Sequence, residues 1–369
     1  MPSRHSSNRR EFLQGRAAAE AIASSIDRIL PQPDVPPSTV DEPRLGQHDD
    51  RYLVQFARAA MACQFAVLLN AGQYEHGSEA ALAALDVVQQ LEDQLTVYRD
   101  TSEVMRVNRT AASTDVELDP GLFDLLSLAV RISAETSGAF DVTAGPLVKA
   151  WGFFKRSGQV PPADVLRAAL DHVGSRHLVL DDLRRTIRFD RPGLELNLGA
   201  IGKGYALDRA SKVLRDTGVN DFLLHGGQSS VVARGARGGG EDGGWNVGLG
   251  DPLRPDRRLA EITLRDRALA TSGAAHQFFR HEGKRYGHIL DPRTGWPAEG
   301  VFSSTVVAPS AAEADALSTA FYALGVDAAQ AHCREHAEIG MILLVPGKGQ
   351  SSVEMATAGL AEQDWRLLT

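Results

Sequence analysis

Apolar positions change their spacing several times along this chain, and each change marks an element. Arg51–Leu69 alternates imperfectly and then runs apolar, which predicts a buried first strand. Around Ser78–Gln94 the residues Leu82, Leu85, Val88, Leu91 and Leu95 fall at helical spacing, so a long amphipathic helix follows. Ser102 reads as the cap of another helix. Asp119 and Pro120 supply a cap and a first-turn proline for a helix over Leu122–Glu135, which Ser137 and Gly138 end. Pro161 and Pro162 precede a helix at about Val165–Val173.

The second half is richer in strands. His177–Leu180 and Thr186–Asp190 alternate around Asp181–Arg185 and predict a hairpin. Asn197–Gly204 leads into a helix over Tyr205–Asp216. Strands are expected at Phe222–His225 and Ser230–Arg234, around Gly226 and Gly227, and Ala236–Gly244 reads as a glycine-rich loop. Further strands are expected at Trp245–Leu249, Ala260–Leu264, Ala268–Thr271, Gln277–Arg280, Gly287–Leu290 and Ser304–Val307, with a hairpin turn at Glu282–Lys284. Helices over Ala311–Leu324 and Asp327–His336 precede a strand at Ile342–Val345. This mixed order lacks the regular repeat of a parallel sheet. It predicts an α+β fold: a largely antiparallel mixed sheet with flanking helices.

Composition narrows the picture. The 369 residues are 43% hydrophobic and 23% charged, an ordinary balance for one large or two small domains. The sequence divides at about residue 50 into a tail, 1–50, and one domain, 51–369. In the tail, Pro31–Pro37 reads as a linker. Before it, Arg9 and Arg10 stand ahead of Phe12 and Leu13, as in a twin-arginine export signal. Glu20 interrupts the alanine-rich stretch Ala17–Ile26, where such signals are uncharged, so a short amphipathic helix with no address function is an equal reading. Export to the periplasm, or association with a membrane, and a cytoplasmic location all stay open. A net charge of −8 argues against a general nucleic-acid binder. Cys63 and Cys333 lack metal-ligand spacing and read as small buried hydrophobes.

Four segments could carry chemistry. Asp315 and Thr319 lie one turn apart on a helix and offer a carboxylate and a hydroxyl to a hard cation such as magnesium. From spacing alone, a buried pairing or a capping role for Asp315 is the commoner outcome. In His288–Gly295, turn chemistry accounts for Asp291, Pro292 and Gly295, and His288 falls in the strand before the turn. In Asn197–Gly204, the glycines 199, 202 and 204 with Lys203 suit an anion, although the spacing is that of neither the P-loop nor the dinucleotide fingerprint. A tight turn packed on the sheet explains the same residues. Phe140 and Asp141, in a loop after a helix, could sandwich a flat ring and hold a polar edge; a core phenylalanine and a capping aspartate are the alternative.

Taken in order, these segments resemble the ApbE family of FAD:protein FMN transferases. The resemblance runs from Met61 to Val345. It includes Thr96–Asn108, Ser137–Trp151, Leu196–Asp208, His225–Gly227, Ala270–Gly273, His288–Gly295 and Ala314–Thr319. It implies a single α+β domain that binds FAD and magnesium. That domain would transfer FMN to a Thr or Ser hydroxyl of a target flavoprotein and release AMP. Hydrolysis of FAD to FMN and AMP, or FAD binding without catalysis, are the alternatives. Carried over, the resemblance implies magnesium at the Ala200 carbonyl, Asp315 and Thr319. It implies flavin contacts at Met61, Tyr98, Ala139, Phe140, Asp141, Asn197, Lys203 and Ile289, and catalytic roles for His288 and Asp315. Partners would be FAD and the target, with peripheral membrane association through that target and no nucleic acid. The chain departs from the family in two places. It has Met61-Ala62-Cys63 for the usual Met-Gly-Thr, and Asn197 where Asp is common.

Overall fold

The apolar stretch before Asn70 is two strands. In the computed structural model, which describes residues 52–155, 157–239, 243–254, 256–274, 277–348 and 352–368, β1 (Leu53–Ala60) pairs antiparallel with β2 (Cys63–Asn70). The single strand expected over Arg51–Leu69 is thus corrected to a hairpin. Its two-residue turn is Met61 and Ala62, at φ 49° and 60°. Such a turn needs two left-handed residues and normally announces itself with Asn or Gly. Here neither is present, so the sequence carried no turn signal. The twin-arginine-like motif and the proline-rich linker lie outside the described residues, as do residues 240–242 of the glycine-rich loop.

Down the chain follow α1 (Gly77–Leu95), α2 (Glu103–Thr110), β3 (Val116–Glu117), α3 (Pro120–Glu135), α4 (Gly145–Ala150), α5 (Ala163–Leu170), β4 (Leu178–Asp181), β5 (Thr186–Phe189) and α6 (Gly202–Asp216). Then come β6 (Phe222–Gly226), β7 (Ser230–Arg234), β8 (Trp245–Gly250), β9 (Arg258–Leu264), β10 (Arg267–Gly273), β11 (Phe278–His281), β12 (Lys284–Gly287) and β13 (Ser303–Ala308). The chain ends with α7 (Ala311–Leu324), α8 (Val326–Glu335), β14 (Gly340–Pro346), β15 (Val353–Ala358) and β16 (Trp365–Leu367).

The expected caps are in place. The Ser102 hydroxyl accepts the Met105 N–H at 3.1 Å, and an Asp119 carboxylate oxygen accepts those of Gly121 and Leu122. Ser137 and Gly138, at φ 51° and 77°, turn the chain out of the region after α3.

The main sheet has eight strands in the order β1-β2-β6-β7-β10-β13-β14-β15, and every pairing in it is antiparallel. Alternation assigns its faces. Phe65, Val67 and Leu69 enter a core shared with the helices, whereas Ala66 and Leu68 point to a second core with Trp245, Ile262 and Leu264 of the β8-β9-β16 sheet. On the helical face α1 packs on α6 and α6 on α7. The expected α+β architecture is therefore observed. Among the described residues, no helix is long and apolar enough to cross a membrane.

Candidate functional site

Two helix N-termini meet in this molecule, and each is capped by a carboxylate from the other helix. The Asp208 carboxylate, on α6, accepts the Ala311 and Ala312 N–H groups at the start of α7, at 2.8 and 2.9 Å. Asp315, on α7, accepts the Gly204 N–H near the start of α6 at 2.7 Å. Helix starts carry unpaired N–H groups and partial positive charge, so both contacts are favourable. They also fix the depth at which Asp315 sits. Its other oxygen accepts the Ser230 hydroxyl from β7 at 2.6 Å, and Lys203 Nζ lies 3.7 Å from Oδ2. Asp315 is only 5% exposed.

The Gly204 contact changes two expectations. In an unbroken helix the Gly204 N–H would reach the Ala200 carbonyl. It goes to Asp315 instead, and the Ala200 carbonyl stands outside α6, whose first acceptor is the Ile201 carbonyl, taking the Tyr205 N–H at 3.0 Å. The same contact means that the Gly204 amide serves a carboxylate of the chain itself, so the phosphate-cradle reading of this segment is corrected for Gly204. Gly202 N–H is also spent, on the Leu198 carbonyl at 2.7 Å. The Lys203 ammonium, on a half-buried side chain, also faces Asp315.

One turn along α7, Thr319 Oγ1 lies 3.1 Å from Ser272 Oγ of β10 and 3.2 Å from the Asp315 carbonyl oxygen. Ser272 also meets Ser318 Oγ at 2.8 Å. The expected Asp315/Thr319 pair is therefore one helix face seated against hydroxyls of two strands. Each carboxylate oxygen of Asp315 accepts one hydrogen bond and retains a lone pair. Asp315 and Thr319 thus bring a carboxylate and a hydroxyl to one helix face, the oxygen donors that a hard divalent cation prefers. Ser230 and Asp208 were missed from the sequence. Ser230 sits inside an ordinary strand, and only strand pairing turns it toward Asp315.

His288 lies just beyond β12, not within a strand as expected; the strand ends at Gly287. Its Nδ1 meets the Gln277 carbonyl at 3.1 Å. A carbonyl only accepts, so Nδ1 carries the proton and Nε2 is left with a lone pair. Burial lowers the His288 pKa from the ordinary 6.5; the Gln277 carbonyl opposes this, and the Lys203 charge adds to it. The following turn is built as expected. Asp291 accepts three bonds from Arg293, at 2.9, 2.9 and 2.8 Å, and the Trp151 indole N–H donates to the Gly295 carbonyl at 2.7 Å.

The expected ring sandwich at Phe140 and Asp141 is not what the structure shows. Phe140 is 1% exposed and belongs to the core. Asp141 accepts from Ser133 Oγ, Thr143 N and Oγ1, and Ser175 N and Oγ, at 2.6 to 3.2 Å. Its carboxylate is a structural hub. Ala139 and Ile289 are buried as well. The Asn197 N–H donates to the Val142 carbonyl at 2.7 Å, which ties this segment to the start of α6. Asn197 Oδ1 accepts the Gly199 N–H at 3.0 Å, leaving Nδ2 to donate.

An exposed aromatic does exist elsewhere. Tyr98, 68% exposed, stacks on Phe154 with centroids 4.8 Å apart, and Lys149 Nζ lies 5.7 Å from the Phe154 ring. Met61 packs partly into the core beside the hairpin turn. In that turn Ala62 holds a left-handed conformation that costs a non-glycine residue about 1 kcal/mol. Cys63 senses the charges of both Lys203 and Asp315, and burial pushes its thiol up to about 11, so it is neutral at physiological pH.

Asp208 gives a first prediction. Burial raises its pKa to about 6, against the pull of the two amides and of Arg234. A folded value above the ordinary 3.8 means that its stabilising contribution is fully present below 3.8 and is lost as pH rises through about 6. Asp208→Asn should lack this dependence. Relative to the variant, the wild type should lose roughly 2–3 kcal/mol of unfolding free energy across that window. A difference that stays constant with pH would contradict the assignment.

Known proteins are similar to this chain in sequence and in fold. The ApbE family profile matches residues 61–343. An FAD:protein FMN transferase of Klebsiella pneumoniae is 32% identical over 278 residues, 74% of this chain and 85% of the relative. Another, of Treponema pallidum, is 33% identical over 281 residues, covering 71% and 76%. The crystal structure of the ApbE protein of Thermotoga maritima superposes with a TM-score of 0.74 at 28% identity, covering 83% of this chain and 97% of that one. A Pseudomonas stutzeri flavinyl transferase ApbE gives 0.73 at 26% identity, with 83% and 95% covered. The chain belongs to the ApbE family.

Proposed function

We propose that this chain is a magnesium-dependent flavin transferase that moves FMN from FAD to a Thr or Ser hydroxyl of a target flavoprotein and releases AMP. The observation that carries the reading is Asp315, fixed between the α6 N-terminus, Ser230 and Lys203, with Thr319 one turn away. Its relatives' shared name, FAD:protein FMN transferase, supports flavin transfer as the reaction.

Asp315, Thr319 and the Ala200 carbonyl would hold the metal, which when bound neutralises charge on the FAD pyrophosphate. Lys203 reaches the same phosphates. The Tyr98–Phe154 pair supplies an exposed stacking surface, and Asn197 Nδ2 a donor for the ring edge. Because the side chains of Ala139, Phe140 and Ile289 are buried and the Asp141 carboxylate is fully used, their flavin contacts fall to backbone groups. Met61, in the β1–β2 turn, would add an apolar contact to the ring.

In the transfer, the acceptor oxygen attacks the phosphorus of the FMN half. The bond from that phosphorus to the bridging oxygen breaks, AMP leaves with that oxygen, and the hydroxyl proton goes to a base. Such chemistry depends on positioning and charge more than on covalent help from the protein. Asp315 is committed to two hydrogen bonds and the metal, which leaves His288 Nε2 as the base.

Since the His288 pKa is lowered, its neutral form persists below pH 6.5. The acid limb of the kcat profile should therefore fall below the ordinary histidine range. His288→Ala should lose both that limb and roughly 10²–10⁴-fold in rate. An unchanged limb in the variant would remove His288 from the role. Incubation with FAD separates the transferase from its hydrolytic and non-catalytic alternatives: magnesium-dependent AMP release that rises with an acceptor protein supports transfer, AMP release that ignores the acceptor supports hydrolysis, and FAD binding without AMP supports neither.

A further inference from the structure

The face of the molecule where α8 ends holds a second set of converging ligand groups, made of different residues from the Asp315 site. His332 and His336 are one turn apart at the end of α8, and Glu135 closes α3 beside them. One ligand atom from each of the three lies within 4.8 Å of the others. The two imidazoles stack with centroids 4.2 Å apart at 20°. We propose that Glu135, His332 and His336 bind one divalent transition-metal ion of the zinc class, which clips the C-terminal ends of α3 and α8 together.

Three features carry the proposal. The donor set is two imidazoles and one carboxylate, which suits zinc with a water as fourth ligand and is too nitrogen-rich for magnesium. Two ligands at about 2.1 Å in tetrahedral geometry lie roughly 3.4 Å apart, so these groups need to close by no more than about 1.4 Å, with the stacked imidazoles turning so that both in-plane lone pairs meet the ion, a rotamer adjustment.

The second feature is the state of His332. It is 8% exposed, and among the described residues no hydrogen bond reaches its ring; its neighbours are the Phe321 ring, at 5.3 Å, and His336. Among the described residues no protein group competes for its ring nitrogens, which leaves them free to ligate. Burial lowers its pKa and favours the neutral, ligating form.

The third is the charge on Glu135. A carboxylate at a helix C-terminus opposes the helix dipole. Arg131 offsets it at 2.9 Å but divides itself between Glu135 and Glu313 of α7, at 3.0 Å. Glu338 faces His336 from 3.7 Å and adds to the cation-attracting field. The clip would act on the fold, since α3 runs directly into the Ser137–Asp141 segment.

The test uses the full-length protein, stripped of metal and titrated with zinc in excess magnesium. Calorimetry should give one zinc equivalent for the wild type and for Asp315→Asn. It should give none for His336→Ala, with affinity at least tenfold weaker for Glu135→Gln. Zinc should raise the melting temperature of the wild type and leave that of His336→Ala unmoved. His336 and Glu135 are exposed enough for both variants to fold, and they lie on different helices. No saturable zinc in the wild type, or an undiminished equivalent in both variants, would overturn the proposal.

Discussion

Replacing Asp315 by alanine should abolish magnesium-dependent FAD turnover, a fall of about a thousandfold or more. The expectation rests on several kcal/mol of charge stabilisation by the metal, at tenfold in rate for each 1.36 kcal/mol. The same substitution harms the fold. The Ser230 hydroxyl and the Gly204 N–H both lose their acceptor, at about 1–3 kcal/mol for each unsatisfied buried group. Asp315→Asn separates the two effects. It keeps the shape and one acceptor but removes the charge, so it should melt closer to the wild type and remain inactive. AMP release and thermal melts on both variants check this. Turnover near the wild-type rate in either would remove Asp315 from the metal site.

The second large effect is expected at a glycine. A Cβ on Gly204 would stand 2.0 Å from the Ala311 carbonyl oxygen, 2.3 Å from its carbon and 2.7 Å from the Ala312 nitrogen. All three are backbone atoms at the start of α7, so no rotamer change relieves the clash. Gly204→Ala must push α6 and α7 apart and loosen both reciprocal caps. Overpacking commonly costs about 1–3 kcal/mol, and a backbone-to-backbone clash belongs at or above the top of that range. At roughly 2–4 °C per kcal/mol the melting temperature should drop by about 6–12 °C, with magnesium affinity falling in parallel. Gly202→Ala is the matched control. Its Cβ would meet only Leu198 Cβ, at 3.8 Å, an ordinary contact. Equal melting of the two variants would contradict the packing account.

These two residues show how far the sequence could be read. The Asp315/Thr319 spacing was legible because helical periodicity alone puts them on one face, and α7 begins and ends where its pattern predicted. What surrounds them was not legible. Asp208 and Ser230 reach Asp315 or its helix only through the α6–α7 crossing and the pairing of β7 with β10. Long-range pairing of that kind leaves no local pattern. The glycines of Asn197–Gly204 left an anion cradle and a tightly packed turn both open; Gly204 is glycine because a helix crosses it, and Gly202 is not so constrained. For Phe140 and Asp141 the sequence left a ring contact and a core-and-cap role both open, because a loop position says nothing about burial, and the structure shows the second. The Met61–Ala62 turn was missed because its left-handed residues are not the ones that usually signal it. The short α4, the two-residue β3 and the late strands β15 and β16 gave too few periodic positions to register.

The central claim is transfer of FMN to a protein hydroxyl. Intact-mass spectrometry tests it most directly, on a candidate acceptor flavoprotein incubated with this chain, FAD and magnesium. The account predicts a gain of one FMN less one water, located on a Thr or Ser. The gain should be lost when magnesium is chelated and absent with Asp315→Asn. An acceptor of unchanged mass beside accumulating free FMN and AMP would contradict it.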